Sequence, residues 1–212
     1  MDARHGGNIM AVAAWVEREF NDEVFDDREW PEIEMTRCRL TRCRFWGARL
    51  SEARIEGCHF EECNFARARL NAAECRASSF LNCLFTDAYL FLARFDDCRL
   101  LGASFAGADM GGLTIVGGDW SWANLRHQNL VKQDLHAVKF LGTDFYGADL
   151  TKADLRDADL TEANLDRALI VGADLRGAKL EKVDLKGLDL CGTRMDIAQT
   201  ILLAQCHGVK VG

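Results

Sequence analysis

The sequence predicts an all-β solenoid, a narrow coil of short strands stacked along one axis. Every fifth residue from Phe20 to Met195, 36 positions without one insertion, is large and apolar except Cys75. Two residues before each of these centres the side chain is usually small, as at Ala48, Ala53, Cys58, Cys63 and at each such position from Ala148 to Ala178. A period of five suits neither an α-helix, which repeats at 3.6, nor a flat strand, which repeats at 2. It does suit a tube with room in each unit for one bulky and one small inward side chain, the remaining residues pointing out. The small slot is broken at Arg18, Glu23, Arg28, Ile33, Leu113, Gln128, Gln133 and Leu188.

Over residues 20–195 this pattern resembles the pentapeptide-repeat family. The resemblance implies a right-handed quadrilateral parallel β-helix with four pentapeptides to a coil. It gives about nine coils and, at the spacing of hydrogen-bonded strands, a shaft of roughly 40 Å. Centres 20 residues apart then stack: Phe45, Phe65, Phe85 and Phe105 line one wall, and Leu50, Leu70 and Leu90 another. Cys38, Cys58 and Cys98, like Cys43, Cys63 and Cys83, fall in the small slots of two columns, where they are expected as small reduced hydrophobes.

The ends should differ from the shaft, because an open coil exposes unpaired strands and core. Residues 1–19 are expected to form a loose extension, and the coil around Pro31 to be frayed, since Arg18, Glu23 and Arg28 occupy small slots. "GGLTIVGGDW", Gly111 to Trp120, keeps the register but is expected to bulge or bend. After Met195 the fivefold pattern stops, and 196–212 reads as a helix capped by Asp196, followed by a short edge strand. This end is expected to cap the last coil and to make a homodimer through Ile197, Ile201, Leu202, Leu203, Val209 and Val211.

The net charge of −7 is concentrated early: from Glu17 to Glu34 nine acids face two arginines, whereas from Met35 onward 23 acids balance 23 bases. Direct nucleic-acid binding is therefore not expected. Phosphate-loop, dinucleotide and nucleophile-elbow signatures are missing, and His5, His59, His127, His136 and His207 have no ligand spacing, so no catalysis, metal or cofactor is expected. The apolar runs fall short of the roughly 20 residues that span a bilayer, and no secretion signal is evident, so a cytoplasmic location is expected.

"WVEREFNDEVFDDREW", Trp15 to Trp30, and "MDIAQTILLAQCHGVKVG", Met195 to Gly212, resemble the ends of the mycobacterial fluoroquinolone-resistance and Qnr branch of the family. That resemblance implies a dimeric, DNA-mimicking rod that binds a type II topoisomerase, DNA gyrase or topoisomerase IV, and protects it from quinolone-class poisons. The wall through Ile55, Phe95, Leu135, Leu155 and Leu175 carries ten acids and seven arginines. Its candidates for enzyme contact are Glu56, Asp96, Asp97, Asp134, Asp154, Asp157 and Asp174. Asp134, Asp154 and Asp174 also stand just before a centre, where Asp or Asn serves the turn. The unbroken register leaves no room for the projecting loops of the Qnr branch. The alternative is a scaffold with a different protein partner, for which outward Tyr89, Phe91 and Leu92, or Leu81, Leu101 and Leu141, could form the patch.

Overall fold

The computed structural model describes residues 13–210. The chain winds as a four-walled coil in which residues 20 apart lie one above the other. On the first wall β1 (Ala14–Val16), β3 (Glu34–Thr36), β5 (Arg54–Glu56), β7 (Glu74–Arg76), β9 (Arg94–Asp96) and β10 (Thr114–Val116) form one parallel sheet in that order. On the second, β2 (Glu19–Asn21), β4 (Arg39–Thr41), β6 (His59–Glu61) and β8 (Ser79–Leu81) form another. The third and fourth walls, centred on Phe45 and Leu50, are held by single bridges such as Arg44↔Asn64 and Arg49↔Arg69. Strand ladders thus cover about five turns. Beyond β10 the same register continues as isolated bridges, Asp134↔Asp154↔Asp174↔Arg194, so the expected nine coils divide into laddered and bridged portions.

The corners explain the division. The second residue after nearly every centre has positive φ, from Glu17 (51°) to Lys182 (61°), and this turns the chain onto the next wall. At closed corners the centre's carbonyl also accepts the N–H three residues on, as from Ala48 to Phe45 (3.1 Å) and Ala53 to Leu50 (3.2 Å), which makes a type II turn. On the first two walls that bond is missing through the early coils, and the strand runs one residue further instead. Closure begins with Ala103 N–H to Leu100 O on the second wall and Val138 N–H to Leu135 O on the first, and there the strands end.

Each open corner leaves polar backbone groups to satisfy inside the tube, and the cysteines do this. Cys38, Cys43, Cys58, Cys63, Cys83 and Cys98, with Ser78, stand at these corners, and all but Cys58 lie within hydrogen-bond distance of the carbonyl of a centre in the coil before, 23 residues earlier, the group that the missing turn bond leaves free. Cys38 N–H donates to Cys58 Sγ (3.3 Å), and Cys58 N–H to Ser78 Oγ (3.1 Å). Burial pushes the Cys58 thiol up to about 12 and the Cys98 thiol to about 11, so both stay protonated donors. The small-hydrophobe expectation is thus incomplete: the thiols pack, and they also ladder.

The core stacks as the spacing requires. Phe45, Phe65, Phe85 and Phe105 lie face to face at 4.8, 5.1 and 4.9 Å, and Phe60 on Phe80 at 4.8 Å, close to the spacing of hydrogen-bonded strands. Among the described residues the register runs from Trp15, five residues before Phe20, so β1 and the start of β2 lie inside the extension expected over 1–19; residues 1–12 fall outside the described residues. Nor is this coil frayed. Trp15, Phe20, Phe25 and Trp30 pack at centroid distances of 4.8 to 5.6 Å and plug the open end, while Arg18, Glu23 and Arg28 point to solvent.

The other end is closed by α1 (Ile197–Cys206). Asp196 caps it, accepting the Gln199 N–H (3.0 Å), while Gln199 Oε1 accepts the Asp196 N–H (3.0 Å). Gln199 is 2% exposed and donates to the carbonyls of Leu175 and Ala178 (2.8 Å to the latter), pinning the helix onto the last coil. Val209 and Lys210 carry no strand assignment, and Val211 lies outside the described residues.

The expected disturbance at Gly111 to Trp120 is a separation of coils, with no break in register. β10 pairs with β9, yet no bridge joins Asp109 to Asn129 or Thr114 to Asp134. Leu113, Gln128 and Gln133, the oversized residues in small slots, border the two walls that separate. Gly118 occupies another small slot with no side chain, beside the buried indole of Trp120.

Candidate partner-binding wall

All seven acidic candidates lie on the first wall. Asp134, Asp154 and Asp174 form one ladder in the column before the centres, continuing the alternation Glu34, Arg54, Glu74, Arg94. Glu56 and Asp96 lie in the column after the centres, and Asp97 and Asp157 at the corner beyond it.

Most of these carboxylates are already engaged. Asp96 pairs with Arg94 (3.1 Å), Asp154 with Arg156 (2.6 Å), Asp157 with His136 (3.1 Å), and Asp174 with both Arg176 (2.6 Å) and Arg194 (3.8 Å). Asp134, Asp154 and Asp174 each accept the backbone N–H two residues on, at 3.2, 3.1 and 3.3 Å. The hydrogen bond from Arg176 holds the Asp174 carboxyl down to about 2, and that from Arg156 lowers Asp154. Among the described residues, Glu56, Asp97 and Asp134 have no ion-pair partner. Counting brought these acids to one wall; it did not reveal that Arg94, Arg156 and Arg176 pair with Asp96, Asp154 and Asp174.

At the C-terminal end five of the six interface candidates, all but Val211, lie among the described residues and fall into two groups. Leu202 and Leu203 pack against the core and cap their own chain. Ile197 is 82% exposed, and Ile201 and Val209 also face solvent. Gln199 was not among the candidates, although a glutamine three residues after an Asp cap is a capping-box signal.

Among the described residues, no group of three or more His, Cys, Asp or Glu side chains is placed to hold a metal, and no helix is long and apolar enough to cross a membrane.

Solved structures with the same architecture include QnrB1, a plasmid-mediated fluoroquinolone resistance protein, in its trypsin-treated R167E form. It matches with TM-score 0.82 and 25% identity over 94% of this chain and 100% of that one. Full-length QnrB1 matches with TM-score 0.82 and 24% identity over 93% and 100%. HetL, a pentapeptide-repeat protein involved in heterocyst differentiation regulation in the cyanobacterium Nostoc sp. strain PCC 7120, matches with TM-score 0.55 and 26% identity over 87% and 90%. No curated protein sequence matches the chain. Sequence profiles described as pentapeptide repeat region and pentapeptide repeats match residues 33–110, and residues 121–157 and 158–196, respectively. With most of the coil covered by those profiles and every unit of its register visible in the structure, the chain belongs to the pentapeptide-repeat family.

Proposed function

We propose that the protein is a duplex-shaped binder of a type II topoisomerase, DNA gyrase or topoisomerase IV, that shields the enzyme from quinolone-class poisons without performing chemistry. The observation that carries this reading is the likeness to QnrB1 over 94% of this chain and 100% of that one. The gathering of seven acids on one wall supports it. An exposed apolar helix end, Ile197 and Ile201, supports a homodimer that doubles the length of the rod.

Charge sets a limit on the mimicry. Ten rungs at strand spacing make a wall about 43 Å long, along which a duplex would carry roughly 25 phosphate charges. With Glu17 of the Trp15 rung counted, the first wall nets four negative charges from eleven acids and seven arginines. Shape must therefore supply most of the fit, and affinity for the enzyme should depend only weakly on salt.

The second reading, a scaffold for another protein, is favoured by the ion pairs that occupy Asp96, Asp154 and Asp174. Gyrase supercoiling and quinolone-stabilised DNA cleavage, each measured with increasing protein, separate the two. The topoisomerase reading predicts less cleavage at drug concentrations that poison the enzyme. Unchanged supercoiling and cleavage with the protein in excess would favour the scaffold. For the dimer, Ile197→Asp with Ile201→Asp should give one-chain mass in sedimentation; a two-chain mass would put the interface elsewhere.

A further inference from the structure

The coils of Met110 and Leu130 come apart from the Gly107 corner, whose N–H does not reach Arg126 O, along the fourth and first walls. On the other two they stay bonded, with Leu100 N–H on Asp119 O (2.7 Å), Gly102 N–H on Ser121 O (3.0 Å) and Phe105 N–H on Asn124 O (3.0 Å). Asp109 bridges to Tyr89 above and Asn129 to Asp149 below, but the two do not bridge each other. Among the described residues, the N–H groups of Met110, Gly112, Ile115 and Gly117 meet no carbonyl of the lower coil, where Asn129, Val131, Asp134 and His136 would be their partners. Leu113, Gln128 and Gln133 border this split, in two columns whose usual occupant is Ala. It is therefore propped open by the sequence.

The split opens into a cleft of about 680 Å³ whose lining includes Gly107, Met110, Gly111, Arg126, His127 and Gln128. Gln128 is 5% exposed, and its Nε2 donates to Phe105 O (2.9 Å). That bond fixes the amide's orientation and leaves Oε1 without a donor among the described residues, on a side chain that lines the cleft. Among the described residues each lip carries both kinds of free group, the Met110 and Gly112 N–H with Ala108 O on one and the Asn129 N–H with the Asn129 and Val131 carbonyls on the other, and with the unused acceptor between them they match an extended polypeptide better than a compact ligand.

We propose that this split docks a short extended segment of a protein partner, which pairs its backbone with the free edge of β10 and the Met110 wall and offers a hydroxyl or amide side chain to Gln128 Oε1. Met110 is only 4% exposed, so the segment engages the lips from outside. The proposal does not depend on the identity of the topoisomerase.

Amide hydrogen exchange on the full chain tests it, with a capped peptide copying residues 148–157 as probe, since that strand is already shaped for this coil. A second peptide of the same sequence, N-methylated at alternate amides, cannot pair. The unmodified peptide should slow exchange at Met110, Gly112, Ile115 and Gly117 by about tenfold or more, and the methylated one should not. The double variant Gln128→Ala with Gln133→Ala should let the coils close, protecting the same amides without peptide and abolishing binding. The proposal fails if these four amides are as protected in the free protein as those of Leu100 and Phe105, if both peptides bind alike, or if a quinolone protects them and the peptide does not. Should the double variant not fold, the exchange map of the unaltered protein with the two peptides decides.

Discussion

The coils up to β10 and the coils after it share one five-residue period but close their corners by different chemistry. In the earlier region thiols and one hydroxyl satisfy open corners from inside the tube, and strands of three residues form between them. In the later region type II turns close every wall, and Asp or Asn before the centre accepts the N–H two residues on from outside, as Asp149 does from Thr151 (2.9 Å) and Asp159 from Thr161 (3.2 Å). The small-slot residue marks the choice: Cys or Ser where the corner is open, most often Ala where it is closed. The comparison also corrects the reading of charge, because many acids of the later region hold turns and are not free to imitate phosphates.

The sharpest break in this comparison should come at the seam. Gly118 has φ of +86°, and a Cβ there would overlap the carbonyl oxygen of Cys98 in the coil above. Gly118→Ala should cost about 3 kcal/mol or more, combining overpacking against rigid backbone with left-handed strain. Denaturant unfolding measures the cost; a change under about 1 kcal/mol would mean the seam adapts freely.

A smaller effect tests the internal ladder. Ser78 Oγ accepts from Cys58 N–H (3.1 Å) and donates to Arg76 O (2.8 Å). Ser78→Ala leaves the Cys58 N–H unpartnered, while Arg76 O keeps the Gly57 N–H (3.1 Å), and should cost about 1–3 kcal/mol, whereas Ser78→Cys should restore most of it. Equal stability of the alanine and cysteine variants would reduce the thiols to space-fillers.

The smallest effect separates the regions by pH. Asp174 is held at about 2 and Asp154 is lowered by their arginines, below the ordinary carboxylate value of 3.8. Their contribution is present in full above that ordinary value and is lost as pH falls through the lowered values. Stability should therefore decline between about pH 4 and 2, less steeply in Asp174→Asn, whose Oδ1 can still accept the turn N–H. An unchanged slope in thermal melts over that window would remove Asp174 from the later region's acid sensitivity.

Much of this was legible in the sequence. The period set the centres, and counting in twenties brought the seven acids to one wall and the phenylalanines into stacks. Trp15 with Ala13 already carried the register, but the polar Arg18 and Glu23 concealed it; the structure resolves this by turning them to solvent around an aromatic plug. The thiol ladder was hidden because a buried cysteine and a buried alanine look alike in a hydrophobic pattern, and only the missing turn bond reveals the difference. Pairing of Asp154 with Arg156 depends on rotamers, which spacing does not specify. Gln128 and Gln133 stood out as misfits, yet their role in holding neighbouring coils apart follows only from which walls they border.

Competition with duplex DNA for gyrase tests the mimicry most directly, with binding followed as the protein is added to a preformed gyrase–duplex complex. The protein should displace the duplex, and reversing two of the three unpaired carboxylates by Glu56→Lys with Asp97→Lys should weaken displacement by about tenfold, through like-charge contact with the duplex-binding surface, while leaving unfolding unchanged. A duplex that stays bound at saturating protein, or that is displaced equally well by the charge-reversed variant, would contradict the first wall's role as a stand-in for DNA.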